Sequence, residues 1–213
     1  MCFQGPNHDC DRCPRLVRFL IENRTKHPGW HNAPVPSFGR LDASLLIIGL
    51  APGLRGANRT GRPFTGDFAG DLLFSTLLDA GFARGKYGKS TDDNLELVNC
   101  RITNAVRCVP PQNKPIALET HACRPFLVDE INAMSSLRVI LALGGLAHGE
   151  LIMAVGERKN SFKFSHGAKH SLPNGLLLVD SYHCSRYNTN TGRLTNDMFR
   201  DVIFDLKRQL LFL

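Results

Sequence analysis

Residues 45–67 read LLIIGLAPGLRGANRTGRPFTGD, an apolar run followed at once by a long loop rich in glycine, proline and arginine. A short apolar run bounded by turn residues predicts a buried strand at Leu45–Ile48. The apolar residues after the loop recur at helical spacing: Leu72, Leu73, Leu77 and Leu78. The stretch therefore predicts a strand, a functional loop and a helix, because ligand crevices in open α/β sheets lie at such strand ends.

The same alternation continues along the chain. Further buried strands are predicted at Leu97–Val106, Leu137–Leu143 and Leu176–Val179, with helical patterns between them, whereas residues 157–175 are basic and predict a loop. Strands that alternate with helices favour a sheet covered on both faces. We expect an α/β three-layer sandwich with a central, mostly parallel, four-stranded sheet.

Composition sets the broad class. With 213 residues, 43% of them hydrophobic, and no linker, the chain predicts one globular domain over residues 1–213. The formal net charge of +7 favours an anionic partner such as nucleic acid. No signal peptide or membrane span is evident. We expect a cytoplasmic monomer, associated with the nucleoid when bound to DNA.

Seven cysteines, an odd number, argue against a disulfide framework in an intracellular chain. Four form a set: Cys10 and Cys13 make a C-x-x-C, and Cys108 and Cys123 flank a proline-rich loop. Four thiolates suit an iron–sulfur cluster or a structural zinc, and spacing does not choose between them. The remaining cysteines are predicted to lie outside this set: Cys2, Cys100 and Cys184.

Polar residues follow three of the predicted strands. Asp67 closes the first loop, Asn104 interrupts an apolar strand end, and His183 begins the polar segment HCSRYN. A lone histidine is usually structural, but this one ends a strand and opens a loop with serine, arginine and asparagine. Because the carboxyl ends of parallel strands share one edge of a sheet, we expect these side chains to converge.

Two motifs carry a resemblance to a known family. GLAPG-x-x-GANRTGRPFTGD at residues 49–67, and HCSRYN at 183–188 continuing to TGRLT at 191–195, resemble the motifs of the family 5, or type B, uracil-DNA glycosylases. The resemblance covers roughly residues 10 to 205. Cys184 departs from it, because the family has proline there, and proline would stiffen the turn.

The resemblance implies a uracil-DNA glycosylase-like fold and an enzyme. It would flip uracil, and other deaminated or damaged bases, out of double-stranded and also single-stranded DNA, and hydrolyse the N-glycosidic bond to leave an abasic site. It also implies a [4Fe-4S] cluster on Cys10, Cys13, Cys108 and Cys123, with a structural role, in which the N-terminal C-x-x-C segment joins the domain.

Site roles follow from the resemblance residue by residue. His183 would donate to the departing base, and Asp67 would hold the attacking water, since Leu50 and Ala51 stand where families 1 and 4 have a carboxylate. The base-binding residues would be Ala51, Gly53, Phe64, which stacks on the base, and Asn104 or its rival Asn113. The DNA-binding residues would be Arg55, Arg59, Arg62, Ser185, Arg186 and Asn188.

Two other classes compete with this interpretation. A metal-stabilised nucleic-acid binding protein without catalysis would explain the charge and the cysteines, but it would not need His183 or Asp67. A nucleotide-binding enzyme would use the glycine loop on phosphate, yet the sequence has no G-x-x-x-x-G-K-[ST] or G-x-G-x-x-G run.

Overall fold

The computed structural model describes residues 3–212; Met1, Cys2 and Leu213 lie outside the described residues, and so does the prediction for Cys2. The strands are β1 Leu45–Gly49, β2 Ala83–Arg84, β3 Glu96–Leu97, β4 Cys100–Asn104, β5 Val139–Leu143, β6 Lys169–Ser171 and β7 Leu177–Ser181. The helices are α1 Pro14–Lys26, α2 Ala57–Thr60, α3 Phe68–Asp79, α4 Ala117–Ala133, α5 Gly145–Ala154, α6 Arg186–Asn190 and α7 Asn196–Phe212.

The central sheet has the strand order β4-β1-β5-β7-β6. The first four strands are parallel, and β6 runs antiparallel to β7. Parallel registers pair Gly49 with Asn104 and Leu143 with Ser181. The carboxyl ends of these strands therefore meet at one edge, where the predicted site residues follow them.

Both faces of the sheet are covered, which explains why β1, β4 and β5 are buried throughout. On one face, α3 and α7 share an apolar core with alternate strand residues, among them Leu73, Leu77 and Ile203. On the other face, α4 and α5 pack through residues such as Leu127 and Leu151. The predicted three-layer α/β sandwich is confirmed.

The predicted strand count is wrong, because the central sheet has five strands rather than four. The fifth, β6, falls inside the basic segment 157–175 that the sequence predicted as a loop. Its three residues, Lys169, His170 and Ser171, are polar, and it is held by backbone pairing to β7 at the sheet edge. Such a strand leaves no apolar pattern to read.

The predicted strand Leu97–Val106 is split in two. Asn99 adopts a left-handed φ of 50° between β3 and β4. β3 pairs with β2 in a small antiparallel sheet outside the main one. Among the described residues, no helix is long and apolar enough to cross a bilayer.

Candidate active site

A cavity of about 470 Å³ opens at the carboxyl edge of the sheet. This volume is in the range that accommodates a small organic ligand. Most of the predicted site residues line it: Ala51, Gly53, Phe64, Asp67, Asn104, Asn113, His183, Ser185 and Arg186. The fold therefore brings residues of both motifs to one cavity, as expected from the sequence.

Gly49 ends β1, directly before the residues that line the cavity. A Cβ atom there would lie 2.4 Å from Asn104 Oδ1 and 2.7 Å from Phe64 Cζ, so only glycine allows both side chains to approach. Phe64 adopts a left-handed φ of 55°, which is unusual for a bulky residue. Its ring stacks against His183, with the centroids 5.9 Å apart.

Asn104 is almost fully buried on β4. No side-chain hydrogen bond of Asn104 occurs within residues 3–212, and the amide lines the cavity. Asn113 is exposed at the rim, on the proline-rich loop, with a left-handed φ of 56°. Both amides, each able to donate and accept, thus lie at the same cavity, one deep and one at its mouth.

Asp67 begins α3 as its N-cap. Its Oδ1 accepts a hydrogen bond from the backbone N–H of Gly70 at 3.0 Å. Its Oδ2 lies against the backbone of the first motif, where a Cβ on Gly56 would be 2.5 Å away and one on Gly53 would be 3.3 Å away. Burial raises the pKa of this carboxyl. Oδ1 of Asp67 therefore caps the helix, whereas Oδ2 lies close to the turn at Gly53.

His183 follows β7 and has a half-buried side chain. Burial lowers its pKa to about 4, so the imidazole is neutral near pH 7 and can donate one N–H. Its backbone carbonyl accepts from Asn188 Nδ2 at 2.8 Å. Ser185 caps α6, and its Oγ accepts from the backbone N–H of Asn188. The loop that carries His183 is therefore braced from within.

This bracing bears on two predicted DNA contacts. Ser185 lines the cavity as well as capping α6, so it stays a candidate for contact with DNA. Asn188 instead directs its amide back to the His183 carbonyl. We therefore assign Asn188 to the positioning of His183 rather than to direct contact with DNA.

The four predicted DNA-binding arginines fall into two groups. Arg55, Arg59 and Arg186 are exposed, and Arg186 lies over the Phe68 ring at 5.2 Å beside the cavity. Arg62 is only 6% exposed and makes a two-pronged ion pair with Asp93, at 2.7 Å for each nitrogen–oxygen pair. This pairing lowers the pKa of Asp93 to about 2. The contact of Arg62 with phosphate stays a prediction, and it is disfavoured by this geometry because the guanidinium is already paired inside the protein.

The opposite wall of the cavity was not predicted from the sequence. It comes from the end of β5 and the start of α5: Leu143, Gly144, Gly145, Leu146 and Ala147. Leu146 is exposed and adds apolar surface to this wall. The available signal in the sequence was the Gly-Gly pair directly after the buried strand β5.

The four predicted metal-ligating cysteines line a second cavity, between the N-terminal segment, the loop after β4 and α4. Burial, and then the neighbouring thiols of Cys123, Cys10 and Cys13, raises the pKa of Cys108. Cys123 Sγ accepts the backbone N–H of Arg107 at 3.4 Å. Because these neighbouring thiols oppose the ionisation of Cys108, a cationic centre would stabilise the thiolate form of this donor set.

The other two described cysteines lie elsewhere. Cys100 is buried in β4 within the main core. Cys184 is also buried, and its Sγ donates to the carbonyl of Ala69 in the first turn of α3 at 3.4 Å. The residue that replaces the family proline therefore joins the second motif to the helix that Asp67 caps.

Comparison with known proteins agrees with this architecture. The family model of the uracil DNA glycosylase superfamily matches residues 36–207, which is most of the chain. The chain therefore belongs to the uracil-DNA glycosylase superfamily.

Individual relatives narrow the assignment within the superfamily. A type-5 uracil-DNA glycosylase from Thermus thermophilus is 44% identical over 93% of this chain and 93% of its own length. The type-5 enzyme from Pyrobaculum aerophilum is 39% identical over 92% of this chain and 86% of its own. A type-4 enzyme from Thermotoga maritima is only 30% identical, over 96% of this chain and 89% of its own. The resemblance to family 5 is confirmed.

Proposed function

We propose that this chain is a uracil-DNA glycosylase of the type-5 group, a hydrolase that removes uracil from DNA and leaves an abasic site. The observation that carries the proposal is the convergence of Phe64, Asn104, Asp67 and His183 on one cavity of ligand size. The names of the relatives support the same reaction. The target base must leave the duplex to reach such a cavity, because a stacked base is inaccessible.

His183 acts on the departing base. Bond breaking places negative charge on a base oxygen, and a neutral imidazole has one N–H that can donate a hydrogen bond to that oxygen. The lowered pKa of His183 keeps the ring in this neutral form. The Phe64 ring, 5.9 Å from the imidazole, offers a surface on which the flipped base stacks. Asn104 reads the base edge from the floor of the cavity.

Asp67 holds the water that attacks the sugar carbon. Its Oδ1 is engaged by Gly70, so Oδ2, next to the Gly53 turn, is the oxygen assigned to this task. A carboxylate accepts a proton from water better than the apolar side chains of Leu50 and Ala51 in the same turn. The raised pKa makes Asp67 a stronger base than an exposed aspartate.

DNA binds across the mouth of the cavity. Arg55, Arg59 and Arg186 are exposed and available for phosphate contacts, which supply most of the affinity for any duplex. The loop of Ser185 and Arg186 enters the minor groove and fills the space that the base has left. Asn113, at the rim, contributes to the same surface.

The cysteine set fits a [4Fe-4S] cluster better than a single zinc ion. Four thiolates around one zinc, each at about 2.3 Å, would lie about 3.8 Å apart. Among the described residues, no three of these sulfurs lie within 4.8 Å of one another. A larger group therefore suits the cavity. When bound, it would supply a structural crosslink, so that Cys10 and Cys13 fasten the segment before α1 to Cys108 and Cys123.

Metal analysis tests the cofactor separately from the reaction. Protein purified without oxygen should carry iron and sulfide and absorb broadly near about 400 nm. Cys10→Ala should reduce iron content and stability more than it reduces base recognition. Zinc in place of iron would contradict the assignment.

A base-release assay tests the reaction itself. Duplexes that carry uracil, hydroxymethyluracil, ethenocytosine or hypoxanthine should release free base and become alkali-labile at the lesion. Uracil is the base that the relatives' names support, and the apolar wall of Leu143 and Leu146 suits further bases as well. Tight DNA binding without release of any base would favour the non-catalytic nucleic-acid binding protein instead.

A further inference from the structure

A polar cluster lies beneath the α5 wall of the cavity, outside both motifs and the cysteine set. It consists of His148 on α5, His170 on β6 and Asp180 on β7. One ligand atom from each residue lies within 4.8 Å of the other two. Asp180 is fully buried and His148 nearly so, whereas the side chain of His170 is 15% exposed. Three separate elements thus bring three metal-ligating side chains to one point.

The distances suit a small divalent cation. His148 Nδ1 lies 2.7 Å from Asp180 Oδ1, and His170 Nε2 lies 3.3 Å from Asp180 Oδ2. Two ligands of a tetrahedral zinc ion, each at about 2.1 Å, are about 3.4 Å apart. An ion could therefore enter with small side-chain movements.

A backbone carbonyl fixes the orientation of His148. Its Nε2 lies 3.0 Å from the carbonyl oxygen of Phe162, to which only an N–H can donate. A neutral His148 with its proton on Nε2 has a lone pair on Nδ1, the atom that faces Asp180. Histidines that bind metals usually donate their second nitrogen to a carbonyl or carboxylate in this way.

The surroundings are apolar and offer Asp180 no other cation. The Phe162 ring packs 5.7 Å from His170, and the Phe164 ring packs 5.6 Å from His148. Within residues 3–212, the ion pairs of Asp180 are made only with the two histidines, and no lysine or arginine reaches it. A buried carboxylate needs a paired charge, and an apolar shell strengthens the binding of a cation.

We propose that His148, His170 and Asp180 bind one Zn²⁺ ion, with a solvent molecule as the fourth ligand on the exposed side of His170. Two imidazoles and one carboxylate are typical zinc donors. The ion ties α5 and the edge strand β6 to β7, three residues before His183. Its role is to hold the wall of the cavity in register, and it takes no part in the reaction.

Zinc uptake by the complete protein, with its cysteine site already loaded with iron, tests this site. Iron-loaded protein is incubated with excess Zn²⁺ and desalted, and zinc and iron are then measured per chain. We expect one zinc per chain beyond the metal held by the cysteines. His170→Ala and Asp180→Asn should lose that zinc. The matched control is His121→Gln, a change at an exposed histidine, and this variant should retain the zinc.

X-ray absorption at the zinc edge makes the result independent of how well the variants fold. Zinc bound to the unmodified protein should show only nitrogen and oxygen neighbours. Sulfur neighbours would place the zinc among the cysteines and overturn the proposal. No zinc uptake, or equal uptake by His170→Ala, would also overturn it, and the cluster would then be an ion pair between Asp180 and a doubly protonated His148.

Discussion

The two motif walls of the cavity are built in different ways. The first wall, Gly49 to Asp67 with Asn104, is dense: glycines admit Asn104, Phe64 and Asp67 at distances that no side chain would permit. The second wall, His183 to Asn188, leaves Arg186 and Tyr187 exposed and is braced by one amide and one serine. We propose from this contrast that the first wall shapes the base pocket, whereas the second presents one chemical group and a DNA-facing surface.

The largest effect is expected from the second wall. His183→Ala should lower the single-turnover rate on a uracil duplex by about 100-fold or more, because a donor that acts mainly in the transition state is lost. Affinity for the same duplex should change little. His121→Ala, at an exposed position on α4, is the control. If affinity and rate fall together, His183 is a binding residue rather than the donor to the leaving group.

A smaller loss of rate is expected in the first wall. Asp67→Asn should slow the reaction less than His183→Ala, because an amide still orients water and still caps α3. Asp67→Ala loses the cap too, at about 1 kcal/mol of stability. Comparison of the two variants separates the cap from the chemistry.

The pH dependence sharpens the Asp67 prediction. Because the pKa of Asp67 is raised, the carboxyl takes up a proton at a pH above its ordinary value of 3.8, and the water then loses its acceptor. The wild-type rate should therefore fall on the acid side above that value. This acid limb should be absent in Asp67→Asn. If Asp67→Asn shows the same rate and the same dependence of rate on pH as the wild type, the water is held by backbone groups instead.

The arginines test which surfaces meet DNA. Arg59→Ala and Arg186→Ala should each reduce the slope of log affinity against log salt by about 1, one phosphate contact apiece. Arg62→Ala should leave the slope unchanged and lower the free energy of unfolding, because Asp93 would be buried without its partner. An unchanged slope in the first two variants would remove these arginines from the DNA surface.

The smallest effect is expected where the two walls touch. Cys184→Pro loses the weak bond from the thiol to the Ala69 carbonyl but restricts the unfolded chain. We expect a net change in the free energy of unfolding below about 1 kcal/mol, and little change in rate. Chemical denaturation and single-turnover kinetics measure both. A large loss of rate would show that the thiol contact keeps the two motifs in register.

The sequence predicted the features that depend on local patterns. Apolar runs located β1, β5 and β7, and polar residues at strand ends located Asp67, Asn104 and His183. The edge strand β6 was not predicted, because its three polar residues show no apolar pattern and are held by backbone pairing to β7. The base-binding roles of the first wall remain predictions that the variants above will test.

Features that depend on distant partners could not be predicted. Arg62 forms a buried ion pair with Asp93, a residue that lies 31 positions further along the chain. The local sequence around Arg62 therefore indicates only a basic loop. His148 and Asp180 are 32 positions apart, and only the fold brings them together. A sequence pattern indicates which interactions a side chain is able to make, but the partner that the fold places beside it determines which interaction forms.

The double use of Asp67 has a consequence for variant libraries of this chain. The position must cap α3 with one oxygen and face the cavity with the other. Serine, threonine and asparagine can cap α3, but none of them offers a second, carboxylate oxygen that accepts a proton from water. Glutamate keeps the charge on a longer arm that the close approach to Gly56 leaves no room for. A pooled screen scored for abundance should therefore tolerate asparagine at position 67, whereas the same pool scored for repair of uracil should retain aspartate.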